Sequence, residues 1–196
     1  MAGQLKKYAS LLPHLVRSKL YDWRIDYRFG RGWAFSPAIV VLTPTLRCNL
    51  TCLMCAPSHL VRSPGVAGPF REFPELPVGE LMRVVDKIAR VRPLVNLGGG
   101  EPLLYPEIEQ IARYILERHR LPCAMTTNGY ILEQHAAWLV DAGMTSVFLS
   151  LDGEAAVHDR IRGREGAHDR AVAGLRALQQ AKARAKSSLP KSAATS

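Results

Sequence analysis

No apolar run in this 196-residue chain approaches the roughly 20 residues that a bilayer span requires. The N-terminus also lacks the apolar core of a leader peptide. Neither a membrane span nor a secreted product is therefore expected. Cysteine is scarce, and three of the four crowd into one short stretch, which excludes a disulfide framework. Acid is missing from one end: residues 170 to 196 carry six Lys/Arg and no Asp/Glu. Residues 1 to 35 are also basic, with seven Lys/Arg against two acids, while residues 36 to 169 hold thirteen against fifteen. The net charge of +9 thus sits at the two ends and the centre is close to neutral, so no nucleic-acid partner is expected. With 47% hydrophobic residues, one domain with a sizeable core is expected.

The three crowded cysteines are Cys48, Cys52 and Cys55, spaced C-x3-C-x2-C directly after the apolar run Ile39 to Leu42. Thiolates so close repel one another once ionised, and a metal or iron–sulfur cluster is the usual way to hold them together. A structural zinc takes four protein ligands, and His59 could complete a Cys3His set. A four-iron four-sulfur cluster held by three cysteines would instead leave one iron open. The spacing leaves both open. Either centre needs a reducing compartment, and a cytoplasmic protein is expected. Cys123 stands alone in a strand-like run and reads as a small core residue.

Three further runs end in polar or glycine residues. Leu94 to Leu97 precedes Gly98-Gly99-Gly100-Glu101-Pro102, Cys123 to Thr126 leads into Thr127-Asn128-Gly129, and Ser146 to Leu151 carries Ser150, Asp152 and Gly153. Strand ends of this kind line the active face of barrel folds. A glycine triplet lets the backbone come close to a ligand where a Cβ would block it.

With these elements in this order, followed by His158-Asp159-Arg160-Ile161-Arg162-Gly163, the sequence resembles the radical S-adenosylmethionine (radical SAM) superfamily over roughly residues 38 to 180. It is most similar to the branch whose members carry a C-terminal auxiliary-cluster (SPASM-type) domain. The resemblance implies an enzyme with an α/β fold, a partial (β/α) barrel. Cys48, Cys52 and Cys55 would ligate a 4Fe-4S cluster whose open iron binds S-adenosylmethionine through its amino and carboxylate groups. An electron from a donor such as flavodoxin or ferredoxin then breaks a carbon–sulfur bond, and the resulting 5'-deoxyadenosyl radical takes hydrogen from a peptide or small-molecule substrate. Backbone groups of Gly99 and Gly100 would hold the methionine amino end. Glu101 would either contact the cofactor or orient that turn. Asn128 and Ser150 would reach the cofactor, and Arg162 would pair with its carboxylate through the two-pronged guanidinium. Met54, where the family often has an aromatic residue, would contact the adenine. Asp152 reads as a turn residue, and His158 as a poor ligand.

The family core has six strand–helix units, of which about four are legible here. Helices are expected over Glu80 to Ala89, from Pro106, from Ile131 to a stop at Gly143, and from His168 through Val172, Leu175 and Leu178. The expected organisation is a basic, helical segment over 1–35, a core over 36–180 and a disordered tail over 181–196. A C-terminally shortened domain is expected to expose the edge of its fourth strand and to cleave S-adenosylmethionine slowly or not at all. The alternatives are a non-catalytic or partner-dependent cluster protein and a zinc-binding interaction module.

Overall fold

The computed structural model describes residues 36–55 and 75–187. The N-terminal segment, His59 and the end of the tail lie outside the described residues. Among them, four strands form one parallel sheet in the order β1-β2-β3-β4: Ile39–Thr45, Leu94–Gly99, Cys123–Thr127 and Ser146–Leu149. Helices return the chain between them, α1 (Val78–Ala89), α2 (Ile108–Arg113) and α3 (Leu132–Asp141), and two more follow β4, α4 (Ala155–Arg162) and α5 (Ala167–Ser187). This is the expected α/β arrangement of a partial barrel with four units.

Parallel strands need crossovers, and the apolar sides of α1, α2, α3 and α5 cover one face of the sheet. Leu42, Val95, Leu97, Cys123 and Met125 from the strands meet Leu81, Val85, Ile111, Ile115, Leu132, Leu139 and Leu178 in one buried cluster. The stripe expected on α2, Ile108, Ile111, Ala112 and Ile115, is buried in full. On α1, Leu81 and Val85 are buried but Val84 is exposed. On α5 the buried stripe is Ala167, Ala171, Gly174 and Leu178, not the Val172-Leu175 side, because small residues are needed where α5 crosses α3. A Cβ at Gly174 would stand 2.7 Å from Leu132 Cβ. The opposite face carries Ile39, Val41 and Phe148, which are exposed among the described residues.

Local departures have local causes. The β1–β2 register shifts between Leu42 and Thr45, where Pro44 has no N–H to give the ladder. Helix α2 continues as a π-helical turn over Tyr114–Arg118. Gly143 ends α3 at φ 75°, as the sequence reading expected. One expectation is corrected: a helix, α4, occupies Ala155–Arg162, where the sequence reading had only a motif. Helix α5 continues to Ser187.

Candidate functional site

The strand C-terminal ends meet around the cysteine loop, residues 46–55, and three elements fix that loop. The first is the end of β2. Gly100 N–H donates to the Thr45 carbonyl at 3.1 Å and Glu101 N–H to the Arg47 carbonyl at 2.8 Å. A Cβ at Gly100 would lie 2.2 Å from the Arg47 carbonyl oxygen and 2.6 Å from that of Leu46. At Gly99, whose φ is +117°, it would lie 2.4 Å from the Thr45 carbonyl oxygen. The glycines do permit a close backbone approach, and the chain they approach is the protein's own cysteine loop. Arg47 extends this anchor, with Nε 2.6 Å from Glu75 and Nη2 2.8 Å from the Leu104 carbonyl.

The second element is the turn after β3, organised by Glu101. This carboxylate is fully buried. Its Oε1 accepts from Thr127 Oγ1 at 2.7 Å and Leu103 N–H at 3.2 Å, and its Oε2 accepts from Asn128 N–H at 2.8 Å. Both oxygens are thus engaged within the protein. Asn128 is thereby held with its Nδ2 2.8 Å from Asn49 Oδ1 and 3.7 Å from Cys48 Sγ. Burial pushes the Glu101 carboxyl above its ordinary 4.5, outweighing the hydrogen bonds that favour the charged form. A raised folded-state value means that the contribution to stability is complete below about pH 4.5 and is lost as pH rises through the higher value. In urea titrations of the metal-free chain, Glu101→Gln is expected to remove this decline, so the stability gap between wild type and variant narrows as pH rises. A gap constant from pH 4 to 8 would contradict it.

The third element is the C-terminus of α4. Its last-turn carbonyls accept from the cysteine loop: Thr51 N–H reaches the Arg162 carbonyl at 3.1 Å and Leu53 N–H that of Ile161 at 2.8 Å. Gly163 adopts φ +69°, and a Cβ there would stand 2.5 Å from Thr51 Oγ1. Arg164 Nη1 donates to the Asn49 carbonyl at 2.9 Å. The expected free fork of Arg162 is occupied: Nε lies 2.6 Å from Asp152 Oδ2 and Nη2 3.1 Å from Asp152 Oδ1, while Nη1 lies 3.7 Å from Cys52 Sγ. Burial works against the charged form of Arg162, but the Asp152 pair outweighs it and the group stays above its ordinary value. Asp152 N–H in turn meets His158 Nδ1 at 3.2 Å. His158 is fully buried, and that burial, with the Arg162 charge, keeps it below its ordinary value and neutral.

The cysteines differ in setting: Cys48 is exposed, Cys55 is half-buried, and Cys52 is buried with Leu50 and Ala167. Although Cys48 reaches solvent, the loop around its sulfur pushes its thiol up, with the Glu101 and Cys52 charges adding to this. Cys123 lies in the core with its thiol pushed up to about 12 by burial, as a structural thiol should be. Among the described residues, no three His, Cys, Asp or Glu side chains stand close enough to share one metal ion. His59, the fourth ligand of a Cys3His zinc site, lies outside the described residues. The donor set fits a thiolate-bound cluster: three cysteines on one loop, with N–H donors of Asn128 and Arg162 directed at two of the sulfurs.

Met54 projects from the exposed tip of the loop, and half-buried Ser150, whose N–H donates to the Thr127 carbonyl at 3.1 Å, lies just beyond β4. The expected residues therefore gather at one end of the sheet. Asp152, His158, Asn49 and Thr51 belong to the same assembly and were not singled out as site residues. Asn49 and Thr51 have no local signature because their partners come from the turn after β3 and from the end of α4, while Asp152 and His158 stand in the motif with no role that spacing alone assigns.

The radical SAM superfamily model matches residues 42–189. The AdoMet-dependent heme synthase of Methanosarcina barkeri is 34% identical over 149 residues, 74% of this chain and 40% of that protein. Mycofactocin maturase MftC of Mycobacterium tuberculosis is 33% identical over 161 residues, 81% of this chain and 38% of that protein. The chain thus spans about two fifths of the length of these curated relatives. Among solved structures, Streptococcus suis SuiB bound to S-adenosylmethionine superimposes with a TM-score of 0.58 at 19% identity, covering 74% of this chain and 32% of that one. SuiB bound to its precursor peptide SuiA gives 0.59 at 17% identity, covering 92% and 35%.

Proposed function

The chain belongs to the radical SAM superfamily, a family of enzymes that uses a 4Fe-4S cluster and S-adenosylmethionine, and on that premise we propose that Cys48, Cys52 and Cys55 hold such a cluster here. When bound, the cluster supplies the electron that splits S-adenosylmethionine and so provides a hydrogen-abstracting radical. The observation that carries the reading is the convergence of the Gly99-Gly100-Glu101 turn, Asn128 and the end of α4 on the one loop that bears the three thiols. These elements fix the loop before anything binds, and preorganisation of this kind is what a protein contributes to cofactor chemistry.

The residues have distinct tasks in this reading. Cys48, Cys52 and Cys55 ligate. Gly99 and Gly100 hold the loop and offer their remaining backbone groups to the cofactor's methionine end, while Glu101 keeps Asn128 facing it. Ser150 stands at the end of β4 for the ribose or carboxylate, and Met54 presents its polarizable thioether to the adenine. A one-electron donor such as flavodoxin or ferredoxin and a reducing, cytoplasmic setting complete the requirements. No described helix is long and apolar enough to cross a membrane. SuiB is described with a precursor peptide, and on the shared fold a peptide is the substrate class we propose for the whole reaction.

The test is cofactor binding that depends on the cluster. After anaerobic reconstitution with iron and sulfide, the chain is expected to retain S-adenosylmethionine in equilibrium dialysis, whereas the metal-free chain does not. Equal retention by both forms, or none by either, would refute the reading.

A further inference from the structure

On the reading that the three cysteines hold a cluster, we propose that Arg162 is a positioning residue for electron transfer: clamped by Asp152, it directs an N–H at the sulfur of Cys52 and raises the reduction potential of the cluster. The geometry assigns every face of the guanidinium. Nε and Nη2 form the two parallel bonds to Asp152, at 2.6 and 3.1 Å, and Nη1 alone remains, 3.7 Å from Cys52 Sγ. The side chains of Arg162 and Asp152 are only 12% and 21% exposed, so solvent screens the arrangement weakly. Asp152 is itself fixed through the bond from its N–H to buried His158. The Arg162 backbone is tied to the loop that carries Cys52 by the bond from Thr51 N–H. Donor and sulfur are thus held on one rigid unit.

Reduction adds one electron, from a flavodoxin- or ferredoxin-type donor or from dithionite, and makes the cluster more negative. Hydrogen bonds to the ligating sulfurs favour that form and raise the potential. The Asp152 carboxylate offsets the guanidinium charge, which leaves the directed N–H as the main contribution. This role differs from pairing with a cofactor carboxylate, because it acts before S-adenosylmethionine is present.

The experiment is an EPR-monitored redox titration of the anaerobically reconstituted chain, with dithionite and no S-adenosylmethionine. Arg162→Met is expected to shift the midpoint to more negative values, by about tenfold in the reduced-to-oxidised ratio, or ~59 mV for a one-electron couple. The double variant Arg162→Met with Asp152→Asn, which leaves the net charge of the pair unchanged, is expected to shift in the same direction by less. Arg162→Gln, whose shorter amide reaches Asp152 but not the sulfur, provides a third variant that keeps a polar partner at the helix end and is expected to shift likewise. Unchanged potentials in the double variant and in Arg162→Gln, at iron contents equal to wild type, would overturn the proposal and leave the cluster reading standing. Loss of cluster uptake by a folded Arg162→Gln would assign the residue to assembly and overturn it too. A wild-type chain that takes up no cluster would overturn the cluster reading, and this inference with it.

Discussion

Replacing Cys52 with alanine is expected to abolish cluster uptake. Wild type reconstituted anaerobically should be brown and oxygen-sensitive, and Cys52→Ala should be colourless with iron and sulfide near background. Cys48→Ala and Cys55→Ala should behave alike, since three ligands already leave one iron without a protein donor. The internal comparison is Cys123→Ala. That thiol is fully buried in β3, and its replacement should cost some stability without changing the iron content. Iron and acid-labile sulfide analysis of the four variants checks this. A colourless wild type holding stoichiometric zinc, lost in the same three variants, would favour the zinc module instead.

Gly100→Ala is expected to displace the cysteine loop, although the added methyl is small and carries no charge. It would press on the carbonyl oxygens of Arg47 and Leu46, at 2.2 and 2.6 Å, and the Arg47 carbonyl, held by the Glu101 N–H at 2.8 Å, has little room to move. Overpacking of this kind costs about 3 kcal/mol, at the upper end for one extra carbon. Relief by shifting the loop would spread the three thiols, so cluster uptake should fall along with stability. Gly79→Ala is the control: it lies in the first turn of α1 with nothing within 4 Å, and a helical alanine there should stabilise by about 0.5–1 kcal/mol. Chemical denaturation of the two variants measures both signs. A Gly100→Ala protein as stable as wild type, with full cluster uptake, would show that the loop gives way freely.

How far the sequence could be read depends on where each constraint lies. The strands were legible because short apolar runs such as Leu94 to Leu97 end in glycine or polar residues, and α2 because Ile108, Ile111 and Ile115 repeat at helical spacing. Helix α4 was not, since only His158 of its eight residues is buried and the remainder offer no apolar stripe. On α5 the larger residues drew attention, but the crossing with α3 selects Ala171 and Gly174 for being small. At the site, the glycines declared that some backbone must come close, and a one-dimensional pattern has no means of saying whose. For Arg162 the resemblance implied pairing with the cofactor's carboxylate, whereas in the fold Nε and Nη2 lie against Asp152, ten residues earlier across a turn. Glu101 looked equally suited to contact or support, and its bonds to Thr127, Leu103 and Asn128 became visible only in the fold.

The central claim is that three cysteines of this loop leave one iron of a cluster open to S-adenosylmethionine. Electron–nuclear double resonance of the reduced, reconstituted chain tests it most directly, using S-adenosylmethionine isotopically labelled in its amino and carboxylate groups. The account predicts hyperfine coupling from both labels to the cluster, absent when the unlabelled compound is used. A reduced cluster whose spectrum does not change on adding S-adenosylmethionine and shows no coupling to either label would contradict it.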